Sequence, residues 1–241
     1  MFKNGFVLKD IEKKYSIDNQ DHLVLDSISL EISSEEITVI LGESGCGKTT
    51  LLKILSNLEK ADKGEVSYFH EGKKINPKVG MVFQESRLMP WLTVSENISF
   101  HCRKKEKIDT DKYLKIMKLE KFKNAYPNEL SGGMSNRVSI ARTLSYDPDI
   151  LLMDEPFAAL DYFTRRKMQM EVINIHNTTN KGVVFVTHNI DEALTIANKI
   201  IIFNKDKAIK EFFVSKDYNR DINSNYYINL KNIILKELGE S

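Results

Sequence analysis

The sequence predicts an α/β fold around a parallel sheet, and three observations predict it. Four short apolar runs, at residues 37–41, 150–153, 183–186 and 200–203, are nearly uninterrupted, as strands are when both sheet faces are covered. Segments of helical period lie between several of them, the alternation of an α/β chain. A glycine-rich loop follows the first run and leads into Leu51, Leu52, Ile54 and Leu55 at helical spacing.

The remaining elements follow from local pattern. Residues 6–32 and 64–69 alternate apolar with polar positions, the pattern of an antiparallel sheet with one wet face. Residues 85–146 are charged, helically spaced and poor in β-branched runs, which reads as a helical insertion in the α/β core. Beyond residue 203, Tyr227, Leu230, Ile234 and Leu238 predict a small amphipathic terminal helix. The expected organisation is a core at 1–84 and 147–204, an inserted helical subdomain at 85–146, and an extension at 205–241.

Bulk composition narrows the function classes. With 241 residues and 41% hydrophobic content, the chain can bury a sizeable core as one domain. Its 35 basic and 34 acidic residues nearly cancel, so no polycationic surface is expected, and nucleic acid is not an expected partner. Cys46 and Cys102 lack metal-ligand spacing and are too few for a disulfide framework, which suits a reducing cytosol. The first residues do not read as a signal peptide, and no stretch approaches the roughly 18 apolar residues of a membrane span. Any membrane role is therefore expected to come through a partner.

Residues 42–49 fit the pattern G-x-x-x-x-G-K-[S/T] between a strand and a helix. Glycines let the backbone wrap phosphate oxygens with N–H groups, and the helix N-terminus adds its positive end. Gly42, Glu43, Ser44, Gly45, Cys46, Gly47, Lys48, Thr49 and the following Thr50 are the expected nucleotide contacts. Lys48 should reach the β and γ phosphates, and the Thr49 hydroxyl should ligate Mg²⁺. The strand at 150–153 runs into Asp154 and Glu155, which alternation sends to opposite sides. Asp154 then suits Mg²⁺, and Glu155 suits the general base that polarises the attacking water. Together these pieces describe a P-loop NTPase core.

Leu130-Ser131-Gly132-Gly133-Met134 resembles the signature motif of the ATP-binding cassette family, and it stands shortly before the acidic strand, as it does there. Its exposed amides and helix dipole form a second anion site. In that family the signature meets the γ-phosphate held by the opposite subunit, which implies Ser131, Gly132 and Gly133 as contacts across a head-to-tail dimer. Further elements resemble the family in order. Tyr15 resembles the aromatic that stacks on adenine, and Gln84 the glutamine that senses Mg²⁺ and the attacking water. Ala159-Leu160-Asp161 resembles the loop at the dimer seam, and His188 the switch histidine at the γ-phosphate.

The resemblance implies an ATP-hydrolysing subunit on the cytoplasmic face of the membrane. Its implied partners are a second copy of itself or a homologous ATPase subunit, a permease and, indirectly, an extracytoplasmic substrate-binding protein. Residues 88–94, with Pro90 and Trp91, resemble a run typical of the nitrate, sulfonate and taurine importer branch, which implies uptake of a small anion. The rival within the family is an exporter of lipoprotein or efflux type. Chromosomal cassettes carry a long coiled-coil insertion and ribosome-acting ones two cassettes, and neither is present.

Four features stay open at this level. Trp91 either anchors a permease element or fills the subdomain core. Cys46 is either a thiol activated by the loop's N–H donors or an inert filler. Glu35-Glu36 stand where the family often has Gly-Glu, so that turn must avoid a positive φ. Ser135, Asn136 and Asn189 also depart from the usual residues.

Overall fold

The computed structural model describes residues 3–17, 20–102, 108–158, 160–204, 209–215 and 217–239. Ala159, in the loop expected at a dimer seam, lies outside them, as do the outermost residues of the expected core and extension.

The chain begins with two long strands, β1 (Gly5–Ile17) and β2 (Gln20–Ser33), followed by β3 (Ile37–Gly42) and helix α1 (Lys48–Leu55). Strands β4 (Lys63–His70), β5 (Lys73–Ile75) and β6 (Val79–Val82) come next. Then come helices α2 (Val94–Ile98), α3 (Thr110–Ile116) and α4 (Gly132–Ser145). The alternating part runs through β7 (Ile150–Asp154), α5 (Tyr162–Thr179), β8 (Gly182–Thr187), α6 (Ile190–Ile196) and β9 (Lys199–Phe203). Strand β10 (Ile209–Phe213) and helix α7 (Asn225–Leu238) close the described chain.

Two sheets result. The antiparallel sheet has the order β2-β1-β4-β5, and the larger one β10-β9-β3-β8-β7-β6. All pairings in the larger sheet are parallel except β10 with β9. Every residue of β3, β7, β8 and β9 is buried, because alternate side chains enter two different cores. Val39, Leu41, Met153 and Phe185 pack with the helical side, whereas Ile40, Leu152, Val184 and Ile201 pack with α1 and the antiparallel sheet.

All four apolar runs are strands of this sheet. Two strands gave no such signal: β6 is four residues long with Gly80 inside it, and β10 carries Lys210 and Glu211 among its apolar residues. Glu35 and Glu36 are absent from the positive-φ residues, so the turn before β3 forms without a glycine. Between β6 and β7 the regular elements are helical. Helix α4 is tied to its surroundings by Thr143 Oγ1 donating to the Met81 carbonyl at 3.4 Å and Ser145 Oγ to the Ile98 carbonyl at 2.6 Å. The terminal helix buries Tyr227 and Ile234 and rests Leu230 and Leu238 against the same core.

Parallel pairing brings the strand ends together. Leu41 aligns with Thr187 and Asp154 with Val186, so the C-terminal ends of β3, β8 and β7 lie side by side. In open α/β sheets that edge is where ligands bind.

Candidate active site

The phosphate loop leaves β3 and enters α1 at Gly47, whose φ of 101° is left-handed. A Cβ there would also come within 2.8 Å of Leu25 Cδ2 and 3.1 Å of the Val24 carbonyl, so only glycine fits. Lys48 is almost fully buried, and its ammonium donates to the carbonyls of Gly42 at 2.8 Å and Glu43 at 2.6 Å. The loop thus aims its own cation inward. The Cys46 Sγ lies 3.8 Å from that ammonium, yet burial pushes the thiol up, and the opposing pull of Lys48 is smaller. Burial thus favours the neutral thiol over the reactive thiolate, and Cys46 packs partly buried against the core, which supports the filler reading.

Thr49 Oγ1 donates to Asp154 Oδ1 at 3.0 Å, joining the start of α1 to the end of β7. Asp154 is 9% exposed, and burial, followed by the neighbouring Glu155 carboxylate, raises its carboxyl above the ordinary aspartate range. Glu155 turns away at a left-handed φ of 42°, and its Oε2 lies 3.0 Å from His188 Nδ1. A cavity of about 470 Å³ is lined by Ser44, Gly45, Gly47, Lys48, Thr49, Thr50, Val24, Gln84, Asp154 and Glu155. Two expected residues sit at its margin. Tyr15 on β1 places its hydroxyl 3.5 Å from Thr50 Oγ1, and His188 reaches the site through Glu155.

The signature lies elsewhere on the same chain. Ser131 caps α4 by accepting from the Met134 N–H at 3.3 Å, Ser131 and Gly132 are exposed, and none of Ser131, Gly132 or Gly133 lines the cavity. Asp161 also lies outside it. Its Oδ1 accepts from the N–H groups of Phe163 and Thr164, both at 3.1 Å, and the Thr164 hydroxyl foremost, then these N–H bonds, hold its carboxyl below the usual range. Asp161 therefore starts α5, and any nucleotide contact it makes is additional to that cap.

Comparison with known proteins decides the family. The family model described as ABC transporter matches residues 25–158. The chain belongs to the ABC transporter family. An aliphatic sulfonates import ATP-binding protein of Bacillus cereus is 39% identical over 95% of this chain and 94% of its own. An uncharacterized ABC transporter ATP-binding protein of Methanocaldococcus jannaschii is 39% identical, over 97% of this chain and 91% of its own. Among solved structures, a dimeric bacterial ABC transporter cassette, MJ0796, superposes with a TM-score of 0.76 at 32% identity, covering 88% of this chain and 100% of that one. The same cassette bound to ADP and Pi superposes at 0.75. The present chain is accordingly an ATP-binding and ATP-hydrolysing cassette with a P-loop NTPase core.

Several residues that shape the cassette's site escaped the sequence reading. Buried Asn97 holds the loop before α2: its Oδ1 accepts from the Met89 N–H at 2.8 Å, and its amide donates to the carbonyls of Met89, Leu92 and Thr93 at 3.0–3.2 Å. That loop presents Trp91 70% exposed, which removes the core-filling alternative. Arg142 donates to the Ser86 and Arg87 carbonyls, steadying the segment after Gln84. Arg165 joins the Leu160 carbonyl to the Glu192 carboxylate, which in turn accepts from Thr187 Oγ1 at 2.6 Å. Asn189 accepts from the N–H groups of Asp191 and Glu192, so its amide oxygen caps α6. The long-range bonds of Arg142 and Arg165 leave no periodic trace in a sequence, and the Asn97 and Asn189 contacts are local caps and loop ties whose pairing only the fold shows.

Thr49 and Asp154 supply hard oxygen donors at one point of the cavity, a set that suits Mg²⁺ shared with substrate phosphates. The raised Asp154 carboxyl also has a consequence for stability. An acid raised on folding stabilises the fold below its unfolded value, and that contribution disappears as pH rises through the folded value. At neutral pH, without nucleotide or metal, Asp154→Asn is expected to melt higher than the parent, because it removes the buried charge. The gain should shrink as pH falls toward 4, about the ordinary Asp value. Thermal melts across pH check this, and a variant melting below the parent at pH 7 would contradict it.

Proposed function

We propose that this cassette powers uptake of a small organic anion of the aliphatic sulfonate class, working as a head-to-tail dimer under a membrane permease. The observation that carries the reading is the grouping of Lys48, Thr49, Asp154 and Glu155 on one cavity with the signature outside it, so that a second subunit completes the site. The direction of transport rests on relatives. Those from Bacillus cereus and Bacillus subtilis carry aliphatic sulfonate import names, and one from Chlorella vulgaris a probable sulfate/thiosulfate import name. An exporter role has no such support.

Within this reading the chain's own groups divide the work. The loop amides and Lys48 bind the β and γ phosphates, and Tyr15 offers a ring to the adenine. Thr49 and Asp154, with Gln84 lining the same cavity, would hold Mg²⁺, which would supply positive charge against the phosphates. Glu155 takes the proton from the attacking water, oriented by its contact with His188. The partner's Ser131, Gly132 and Gly133 face the γ-phosphate, and Asp161 stands at the seam.

Residues 1–84 and 147–204 act as the core, 85–146 as the signature subdomain and 205–241 as an extension. No helix among the described residues is long and apolar enough to cross a membrane, so attachment at the cytoplasmic face runs through the permease. The exposed Trp91, on a loop fixed by Asn97, suits that contact. An extracytoplasmic binding protein delivers the anion. Cells lacking this chain are expected to lose growth on an aliphatic sulfonate as sole sulfur source while growing normally on cysteine. Parental uptake of a radiolabelled sulfonate in those cells would refute the cargo assignment.

A further inference from the structure

Glu155 occupies a backbone conformation that a non-glycine residue adopts only when its surroundings impose it. Its own N–H donates to the Val186 carbonyl at 3.1 Å, and its carbonyl accepts from the Ala158 N–H at 3.2 Å, bonds that set the start and inner curve of the turn. Pro156, next in the chain, has no N–H, so its carbonyl is the backbone handle left at that residue. Asn136 takes it: the side-chain amide, on the second turn of α4, donates to the Pro156 carbonyl at 2.8 Å.

A second close approach lies at the start of α5. Gly133, one turn earlier on α4, lies so close to α5 that a Cβ on it would come within 2.7 Å of Thr164 Cγ2. Thr164 in turn donates its N–H to the Asp161 cap. The first two turns of α4 therefore hold Pro156, just after the acidic pair, and pack against Thr164 at the start of α5. Phe157 anchors the middle of the loop in the core against Phe185, ring centroids 5.3 Å apart, but an apolar ring fixes depth and leaves the rotation of the preceding peptide free.

We infer that Asn136 is a positioning residue for ATP hydrolysis, its amide locking the Pro156–Phe157 peptide, one residue beyond Glu155, so that the carboxylate keeps its aim at the attacking water. The inference rests on the proposed role of Glu155. It also gives the departure at this position a chemical requirement: an amide donor of short reach, which Asn and Gln possess and Asp and Ala lack.

The test is steady-state ATPase of the purified chain with Asn136→Asp, Asn136→Ala and Asn136→Gln, together with binding of a fluorescent ADP analogue. Asp keeps the shape but turns a carboxylate toward a carbonyl. Asp and Ala are expected to lower kcat about ten-fold while KM and analogue affinity stay within about two-fold, because only the aim of Glu155 is disturbed. Gln should recover at least about half of kcat, since it keeps the donor. A merely structural Asn136 would instead lower the melting temperature and nucleotide affinity together with kcat, and that pattern overturns the inference. Parental kcat in the Asp and Ala variants also overturns it, as does a Gln variant no better than Ala. Glu155→Gln, assayed in parallel, separates the layers. If it is inactive while Asn136→Asp is normal, only the positioning role fails; if it turns over freely, the base assignment fails and takes the positioning role with it.

Discussion

Glu155→Gln is expected to bind ATP with parental affinity, to lose turnover by about 10²–10⁴-fold, and to accumulate as an ATP-bound dimer. Gln has nearly the volume of Glu and accepts hydrogen bonds at the same oxygen, so the left-handed turn at φ 42° and its bonds to Val186 and Ala158 are kept. What disappears is the group that can take a proton from water at the mouth of the cavity. Lys48, Thr49 and Asp154 are untouched, so phosphate binding persists. Size-exclusion chromatography with light scattering, with ATP and Mg²⁺, reads the dimer, and phosphate release reads the turnover. Turnover near the parental rate would remove Glu155 from its role.

Ser131→Arg is expected to separate binding from closure. Ser131 is exposed and outside the cavity, so nucleotide should bind one chain as before. Losing its cap on the Met134 N–H costs about 1 kcal/mol, small enough for the fold to survive. The new side chain fills the space in front of the α4 N-terminus, where the proposed dimer places the partner's γ-phosphate. Hydrolysis should fall at least about 10²-fold, comparable with removing a transition-state donor. In the Glu155→Gln background the ATP-dependent dimer should vanish. Normal hydrolysis by the single variant would exclude a site completed by the second signature.

Most of the candidate site was legible because it is written in short contiguous runs. The loop at 42–49, the acidic pair at 154–155 and the turn at 131–133 each place their groups within a few residues, next to an apolar or helical pattern that identifies the element. Where the signal fails, the contacts span long sequence distances. Asn136 reaches Pro156, Arg142 reaches Ser86, and Arg165 bridges Leu160 and Glu192. The edge strands β6 and β10 were missed for a related reason: an edge strand has one neighbour and needs less apolar side chain, so a glycine or a charged pair is tolerated. For Cys46 the loop's N–H donors were visible in the sequence, whereas the burial that outweighs them was not.

The sequence by itself determined the α/β class, the phosphate loop, the acidic strand end and the family, because each depends on residue type at fixed local spacing. Tertiary structure alone decided that Thr49 meets Asp154, that Glu155 meets His188, that Trp91 faces outward and that Asn136 holds the Pro156 carbonyl. Those pairings depend on which strands lie side by side and in what register. Long-range packing of apolar faces sets both, and a linear pattern of side chains records only that such faces exist.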